Sequence, residues 1–238
     1  MIIPPPARNF RPELLDLDEA PFEEVRDSLK DVRRVNNYLS GYRVLLLHIK
    51  KFLREHNEDR AFTILDAATG SADQPIAAVR MARALGIPVR ITAIDINEKM
   101  IRFAREETRS YPEISFVQCD IHSLPFHRGS FDLVINSLSL HHFERGEGVS
   151  LLRAFSFLGK RGFVVNDLHR SRVAYAAIFI LTRLLTRNRL TRYDAPVSVM
   201  NAFTPDELMA MAREAGLENV EVHRHFPYRL AVVERKSI

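Results

Sequence analysis

Apolar residues recur every three or four positions from Pro21 onward, at Phe22, Val25, Leu29, Val32, Val35 and Leu39. That spacing predicts an amphipathic helix. Ser40-Gly41 breaks it, and a second helix runs from Tyr42 to about His56. Its apolar face is Leu45, Ile49, Phe52 and Leu53, with Val44 and Leu47 widening it. Residues 1 to about 20 read instead as an extended, Pro-rich arm, with a short turn at Glu13-Leu14-Leu15-Asp16.

From 62 to 166 the pattern alternates. Short apolar runs predict strands at 62–66, 89–95, 114–118, 131–136 and 162–166. Helical spacing lies between them at 73–86, from an Asn97 N-cap to about 109, and at 148–158. Such alternation predicts a parallel, doubly wound α/β sheet with helices on both faces. In that architecture ligands bind beyond the carboxyl ends of the strands, where the strand order reverses. The two leading helices then either cap the ligand end or pack on the sheet edge.

The first strand runs into Asp66-Ala67-Ala68-Thr69-Gly70-Ser71-Ala72-Asp73, a loop almost without side-chain bulk. A ligand could approach the backbone there. The loop does not match the dinucleotide fingerprint GxGxxG: Ala68 and Gly70 take the two leading glycine positions and Asp73 the third. A pyrophosphate needs free N–H groups at a positive helix end, and a carboxylate at Asp73 would repel it. A ligand with a cationic amine would be favoured, so a nucleoside without phosphates suits the loop better than NAD. S-adenosylmethionine (SAM), with its ammonium, carboxylate, sulfonium and adenosine, has those features.

The other strand ends are polar too. Strand two ends at Asp95-Ile96, where a carboxylate can accept both hydroxyls of a ribose. Strand three ends in Cys119-Asp120-Ile121, an acid beside an apolar residue, suited to the amino group and ring of an adenine. Strand four ends in Asn136-Ser137-Leu138-Ser139-Leu140-His141-His142.

The stretch 62–142 resembles the core of the class I SAM-dependent methyltransferases. Asp66-Ala67-Ala68-Thr69-Gly70-Ser71 stands in their glycine-rich first motif, and Asp95 matches their ribose-binding acid. Asp120-Ile121 with Leu124-Pro125-Phe126 matches the adenine-side motif, and Phe131-Asp132-Leu133-Val134 with Ser137 and His141-His142-Phe143 the fourth. Asp73 is similar to the branch that includes ubiquinone and menaquinone biosynthesis methyltransferases. The departure is alanine at Ala68 and Ala72, where the family usually has glycine at one or both. Alanine is comfortable there only at negative φ, so a less strained loop is expected. The resemblance implies a Rossmann-like, seven-stranded sheet closed by an antiparallel hairpin, here from strands near 219–226 and 228–234 around Pro227. It implies SAM as cofactor, held by Asp66, Ala68, Thr69, Gly70, Ser71, Asp73, Asp95, Ile96, Asp120, Ile121, Asn136 and Ser137. The motifs are specific for the cofactor and weak for the substrate.

After strand five, an apolar run from Val173 to Leu181 is flanked by Arg170, Arg172, Arg183, Arg187, Arg189 and Arg192, with no acid between Asp167 and Asp194. It reads as an inserted helix with a basic far end. It is either buried against the first two helices, or a lid over a pocket for a lipophilic or aromatic substrate, or a membrane-surface contact through 170–192, or a phosphate-contacting edge. Thr204-Pro205-Asp206-Glu207 is an N-terminal helix signature, and that helix ends at Gly216. One methyltransferase domain is expected over 1–238: arm and cap helices to 60, SAM-binding core 61–168, insertion 169–200, closing helix and hairpin 201–238.

Composition narrows the setting. A net charge of +4 does not by itself call for nucleic acid, and no aromatic interleaving suggests base stacking, so none is expected as a partner. The single cysteine, Cys119, excludes an internal disulfide and fits a reducing, cytoplasmic compartment. The apolar run Val173–Leu181 is far below the roughly 20 residues that span a bilayer. No metal is called for. The expected function is methyl transfer from SAM to O or C of a small apolar acceptor, aromatic, quinone-like or polyketide-like. His141 is the candidate base or orienter, with His169 in reserve. The alternatives are an RNA or protein methyltransferase and a SAM-binding partner without catalysis.

Overall fold

The computed structural model describes residues 5–17, 19–38 and 41–236. Leu39 and Ser40, read as the end of the first helix and its break, lie outside the described residues. The first two helices are α1 (Phe22–Tyr38) and α2 (Gly41–Arg54). The core then runs β1 (Phe62–Ala67), α3 (Asp73–Leu85), β2 (Val89–Asp95), α4 (Glu98–Glu107), β3 (Ile114–Gln118) and β4 (Leu133–Ser137). A short 3-10 turn (Leu140–His142), α5 (Arg145–Leu158) and β5 (Gly162–Leu168) complete it. The chain closes with α6 (Arg172–Leu185), α7 (Arg189–Asn201), α8 (Pro205–Glu214), β6 (Val220–His225) and β7 (Arg229–Arg235).

The seven strands form one sheet in the order β3-β2-β1-β4-β5-β7-β6, with β1 to β5 parallel and β7 antiparallel to both its neighbours. The strands are apolar on both faces because helices cover both. One face packs α5 and α8 through Leu151, Leu152, Phe155, Leu208 and Met211; the other packs α2 and α3 through Leu45, Ile49, Phe52, Val79 and Ala82. The strand order reverses between β1 and β4, so the crevice of the fold opens beyond Ala67 and Asn136, which are paired in register.

Several boundaries differ from the sequence reading for local reasons. Helix α5 begins at Arg145, three residues before Gly148, because the Glu147 carboxylate accepts the Glu144 N–H. Leu47 does not widen the buried face of α2: it is 48% exposed, while Val44 is buried. The insertion is two helices, not one. An Asn188 cap accepting the Thr191 N–H starts α7, which runs through Pro196. It is α7 that packs on α1, and α6 lies over α7.

The arm is strapped down by specific polar contacts, without helix or strand. Arg8 donates to the carbonyls of Asn201, His141 and Phe143 at 2.6, 3.1 and 2.7 Å. The amides of Leu14 and Leu15 donate to Asp194, and Arg11 exchanges hydrogen bonds with the Asn201 side chain.

Asp132 lies at the far end of the sheet from the crevice. Its buried carboxylate accepts both Arg60 Nη groups at 2.6 Å, and the Thr63 N–H and hydroxyl at 2.9 and 3.0 Å, joining β1 to the entry of β4. Burial pushes its pKa up, but these donors outweigh burial and hold it at about 2. Its folded pKa lies below the unfolded value, so the pair stabilises above pH ~4, and that contribution disappears as pH falls toward 2. We expect Asp132→Asn to lose about 1–2 kcal/mol at pH 7 and to flatten the acid limb of a urea-unfolding series. An unchanged acid limb would contradict the assignment.

Candidate functional site

The loop after β1 turns tightly three times. Ala68, Gly70 and Ala72 all lie at positive φ, at 60°, 54° and 55°. The expectation of negative φ at the two alanines is therefore overturned. The left-handed region costs a non-glycine residue about 1–2 kcal/mol, and the surroundings hold it in place. Thr69 N–H donates to Ile94 O at 2.8 Å, Ala72 N–H to Thr69 O at 3.0 Å, and Asn136 Nδ2 to Ala67 O at 2.8 Å. At Gly70 a Cβ would meet nothing within 4 Å, so it is conformation, not space, that calls for glycine.

Three carboxylates surround this loop, each in a different state. Asp66 is fully buried and its Oδ2 has no partner; burial, and then the charges of Asp73 and Asp95, push its pKa up to about 8. Asp95 accepts the Gly70 N–H on Oδ2 at 2.8 Å and the Asn97 N–H on Oδ1 at 2.9 Å; burial raises its pKa despite these bonds. Asp73, at the first turn of α3, accepts the Tyr42 hydroxyl at 2.5 Å and the Ser71 hydroxyl at 2.9 Å. The positive end of α3 is thus already matched by a carboxylate.

The remaining predicted residues divide. Asn136 is buried between Ala67 O and Ser139 Oγ, and Ser137 Oγ accepts from Gln74 and Asn166, so both face the crevice. Ile96 is 64% exposed and free to meet a ring, whereas Ile121 is packed into the core beneath β4 and α5. Asp120 is exposed and accepts the His122 N–H at 2.9 Å.

His141 lies deeper than a free base would. Its Nδ1 is 2.6 Å from Asp167 Oδ1, its Nε2 is 3.3 Å from Glu13 Oε1, and its N–H donates to Asp167 Oδ2. Desolvation pushes its pKa down, but Asp167 and Glu13 outweigh it and raise the imidazole to about 10. His169 is the opposite case. It is half-buried beyond β5, near Tyr228, and burial with the nearby Arg224 and Arg170 lowers its pKa.

Sequence reasoning stopped one strand early. Extended to β5, it would have added Asn166 and Asp167. Tyr42, Gln74 and Arg229 carry no local signal; only packing brings them here. Arg229 on β7 is 2% exposed, donates to Asn36 of α1, and keeps Nη1 without a partner. Burial lowers its pKa to about 10, although Asp167 opposes the shift.

Among the unpartnered buried atoms of the described residues, six lie toward the carboxyl ends of the strands: Asp66 Oδ2, Thr69 Oγ1, Gln74 Oε1, Asn136 Oδ1, Asn166 Oδ1 and Arg229 Nη1. Three of them, the amide oxygens of Gln74, Asn136 and Asn166, can only accept, given the amide orientations, and one can only donate. The amide oxygens suit an ammonium, hydroxyls and amino groups, and Arg229 suits an anionic oxygen beside them. The set does not suit a pyrophosphate.

Comparison with known proteins gives the same answer. Residues 64–162 match the methyltransferase-domain family. Residues 64–162 thus form a methyltransferase domain, and the chain is similar to the class I SAM-dependent methyltransferases. It is 26% identical over 205 residues to the demethylmenaquinone methyltransferase of Staphylococcus aureus, covering 81% of this chain and 83% of that protein. The plantazolicin methyltransferase in complex with S-adenosylhomocysteine (SAH) shares the fold at a TM-score of 0.66 and 13% identity, covering 94% and 93% of the two chains. A SAM-dependent methyltransferase of Aquifex aeolicus does so at 0.53 and 16%, covering 78% and 87%. Among such enzymes it resembles the quinone-biosynthesis branch, and the methyltransferase domain takes SAM as its cofactor.

Removing the Asp95 carboxylate should release Gly70 as well as any ribose contact. Asp95→Ala is expected to weaken SAH binding at least tenfold by calorimetry, with the circular dichroism spectrum unchanged. Unaltered affinity would remove Asp95 from the site. Ala68→Gly should relieve the left-handed strain and raise stability by about 0.5–1 kcal/mol, read as a higher urea midpoint. A lower midpoint would mean that the methyl group packs productively.

Proposed function

We propose that this methyltransferase alkylates O or C of a small, apolar, quinone-like or aromatic acceptor. The observation that carries the reading is the acceptor-rich crevice with a carboxylate, Asp73, at the helix end where a phosphate would otherwise bind. The quinone class draws support from the demethylmenaquinone methyltransferase relative. The cofactor-binding set is Asp66, Ala68, Thr69, Gly70, Ser71, Asp73, Asp95, Ile96, Asp120, Ile121, Asn136 and Ser137, extended here by Gln74 and Asn166. Bound SAM supplies an electrophilic methyl group on a sulfonium, so the chain has to position the acceptor, exclude water and raise its nucleophilicity.

The acceptor end lies where α1 crosses β5 and β7. Val35, Leu168, Leu181 and Tyr228 pack there with Ala174, Ile178 and Val199 in a small apolar cluster beside Arg229. A phenol or an enolisable carbonyl becomes nucleophilic as it loses its proton, and Arg229 would stabilise the resulting oxyanion. His141 has both ring nitrogens occupied and holds its proton, so it orients Asp167. His169, with its lowered pKa, is neutral at pH 7 and able to accept the proton.

A base works when unprotonated, so the rate should fall at acid pH, with the limb displaced below the ordinary imidazole range because burial lowers the His169 pKa. His169→Asn should remove that acid limb and lower kcat at least tenfold on a panel of phenols, hydroquinones and 1,3-dicarbonyls; a retained limb would exclude His169. Tight SAH binding with no turnover on the panel would favour a non-catalytic partner protein. Activity on RNA or protein, lost in moderate salt, would favour the macromolecular alternative.

A lipophilic acceptor arrives from a lipid phase. Helix α6 exposes Val173, Ile180, Leu184 and Leu185, with Arg172, Arg183, Arg187, Arg189 and Arg192 along the same segment. A cleft of about 540 Å3 between α6, α7 and the arm is lined by Tyr175, Phe179, Tyr193 and Met200, and by none of the strand-end acids. No described helix is long and apolar enough to cross a membrane. We assign this segment to peripheral contact with an anionic surface. It should co-sediment with phosphatidylglycerol vesicles but not with phosphatidylcholine vesicles, and Leu184→Glu/Leu185→Glu should abolish the difference. Equal binding to both lipids, or to neither, would refute it.

A further inference from the structure

The side chains of Glu13, His141 and His142 converge to within 4.8 Å through their ligating atoms. Glu13 Oε1 lies 3.3 Å from His141 Nε2 and 3.9 Å from His142 Nε2. Three atoms each about 2.0–2.2 Å from a tetrahedral Zn2+ would stand roughly 3.3–3.5 Å apart, so little movement would close the set. The group is enclosed: Glu13 and His141 are buried and His142 is partly so.

An independent feature points the same way. Each imidazole turns its other nitrogen onto a carboxylate: His141 Nδ1 on Asp167 at 2.6 Å and His142 Nδ1 on Asp16 at 2.6 Å. Both rings are thereby held with Nε2 toward Glu13. A carboxylate behind each histidine is the arrangement that fixes the tautomer and strengthens a metal ligand. The Glu13 carboxylate is steadied in turn by Ser198 Oγ at 2.5 Å. With the ring protons at Nε2 displaced on binding, two imidazole nitrogens and one carboxylate oxygen suit a borderline ion such as Zn2+ or Co2+, and not Mg2+ or Ca2+, which take oxygen ligands.

We propose that Glu13, His141 and His142 form a site for one zinc-class ion, with Asp16 and Asp167 as orienting carboxylates and a fourth position left for water. The ion would fasten the arm, through Glu13, to the turn that follows β4. The reading that no metal is called for is thereby revised. It missed the site because its third ligand lies 128 positions upstream of His141.

The test uses the full chain, free of any histidine tag and treated with chelator, titrated with CoCl2 and then ZnCl2. One Co2+ per chain should bind and give the intense visible bands of a four-coordinate site, bleached by one equivalent of Zn2+. His142→Ala should abolish the bands. Asp16→Asn, at a half-exposed residue, should fold normally and lower the affinity 10–100-fold. Absence of visible bands and of retained metal in the wild-type chain would overturn the proposal. So would bands that survive His142→Ala and Glu13→Gln but vanish in His225→Ala, because His48, His223 and His225 form a separate cluster on α2 and β6.

Discussion

Like charges gathered in a crevice repel one another, and this protein draws three carboxylates to one loop. Each is accommodated in its own way. Asp66 stays protonated near neutrality because burial makes its charge expensive. Asp95 is held by two backbone amides, one of them Gly70 of the loop itself. Asp73 shares the Tyr42 and Ser71 hydroxyls and sits where the α3 dipole favours a negative group. The loop is wound through three left-handed residues to reach these partners, two of them alanines. A ligand that brings positive charge relieves the repulsion, whereas a phosphate would add to it.

The cap belongs to the same arrangement. Tyr42 reaches Asp73 from the start of α2, the Gly41 carbonyl accepts from Asn166, and Asn36 of α1 accepts from Arg229. The two leading helices therefore complete the polar lining of the crevice as well as pack on the sheet. Their apolar faces explain why they dock; these few polar contacts explain how they are positioned over the strand ends.

The two histidines after β4 show how neighbouring residues take different environments. His141 is enclosed by Asp167 and Glu13, and His142 turns to Asp16 near the surface. Both contacts to the arm exist because Asp194, Asn201 and Arg8 strap it across the molecule. The arm has no regular structure, yet it supplies Glu13 and Asp16 to the titratable cluster around His141 and His142.

Local patterning was enough to locate β2 and β3, the two helix N-caps at Asn97 and Thr204, and the acids at three strand ends, because strand periodicity, caps and turns act over a few neighbouring residues. The resemblance carried by the loop and the strand-end acids pointed to the cofactor class, and a carboxylate at Asp73 disfavours a phosphate at that helix end. What packing alone decided is which polar atoms meet. Tyr42 with Asp73, Arg229 with Asn36, Glu13 with His141 and Asp132 with Arg60 are pairs separated by 31 to 193 positions. The left-handed alanines belong there too: their intrinsic preference is for negative φ, and hydrogen bonds from β2 and β4 override it. Side-chain charge state and backbone strain follow from neighbours in space, and a linear chain does not name those neighbours.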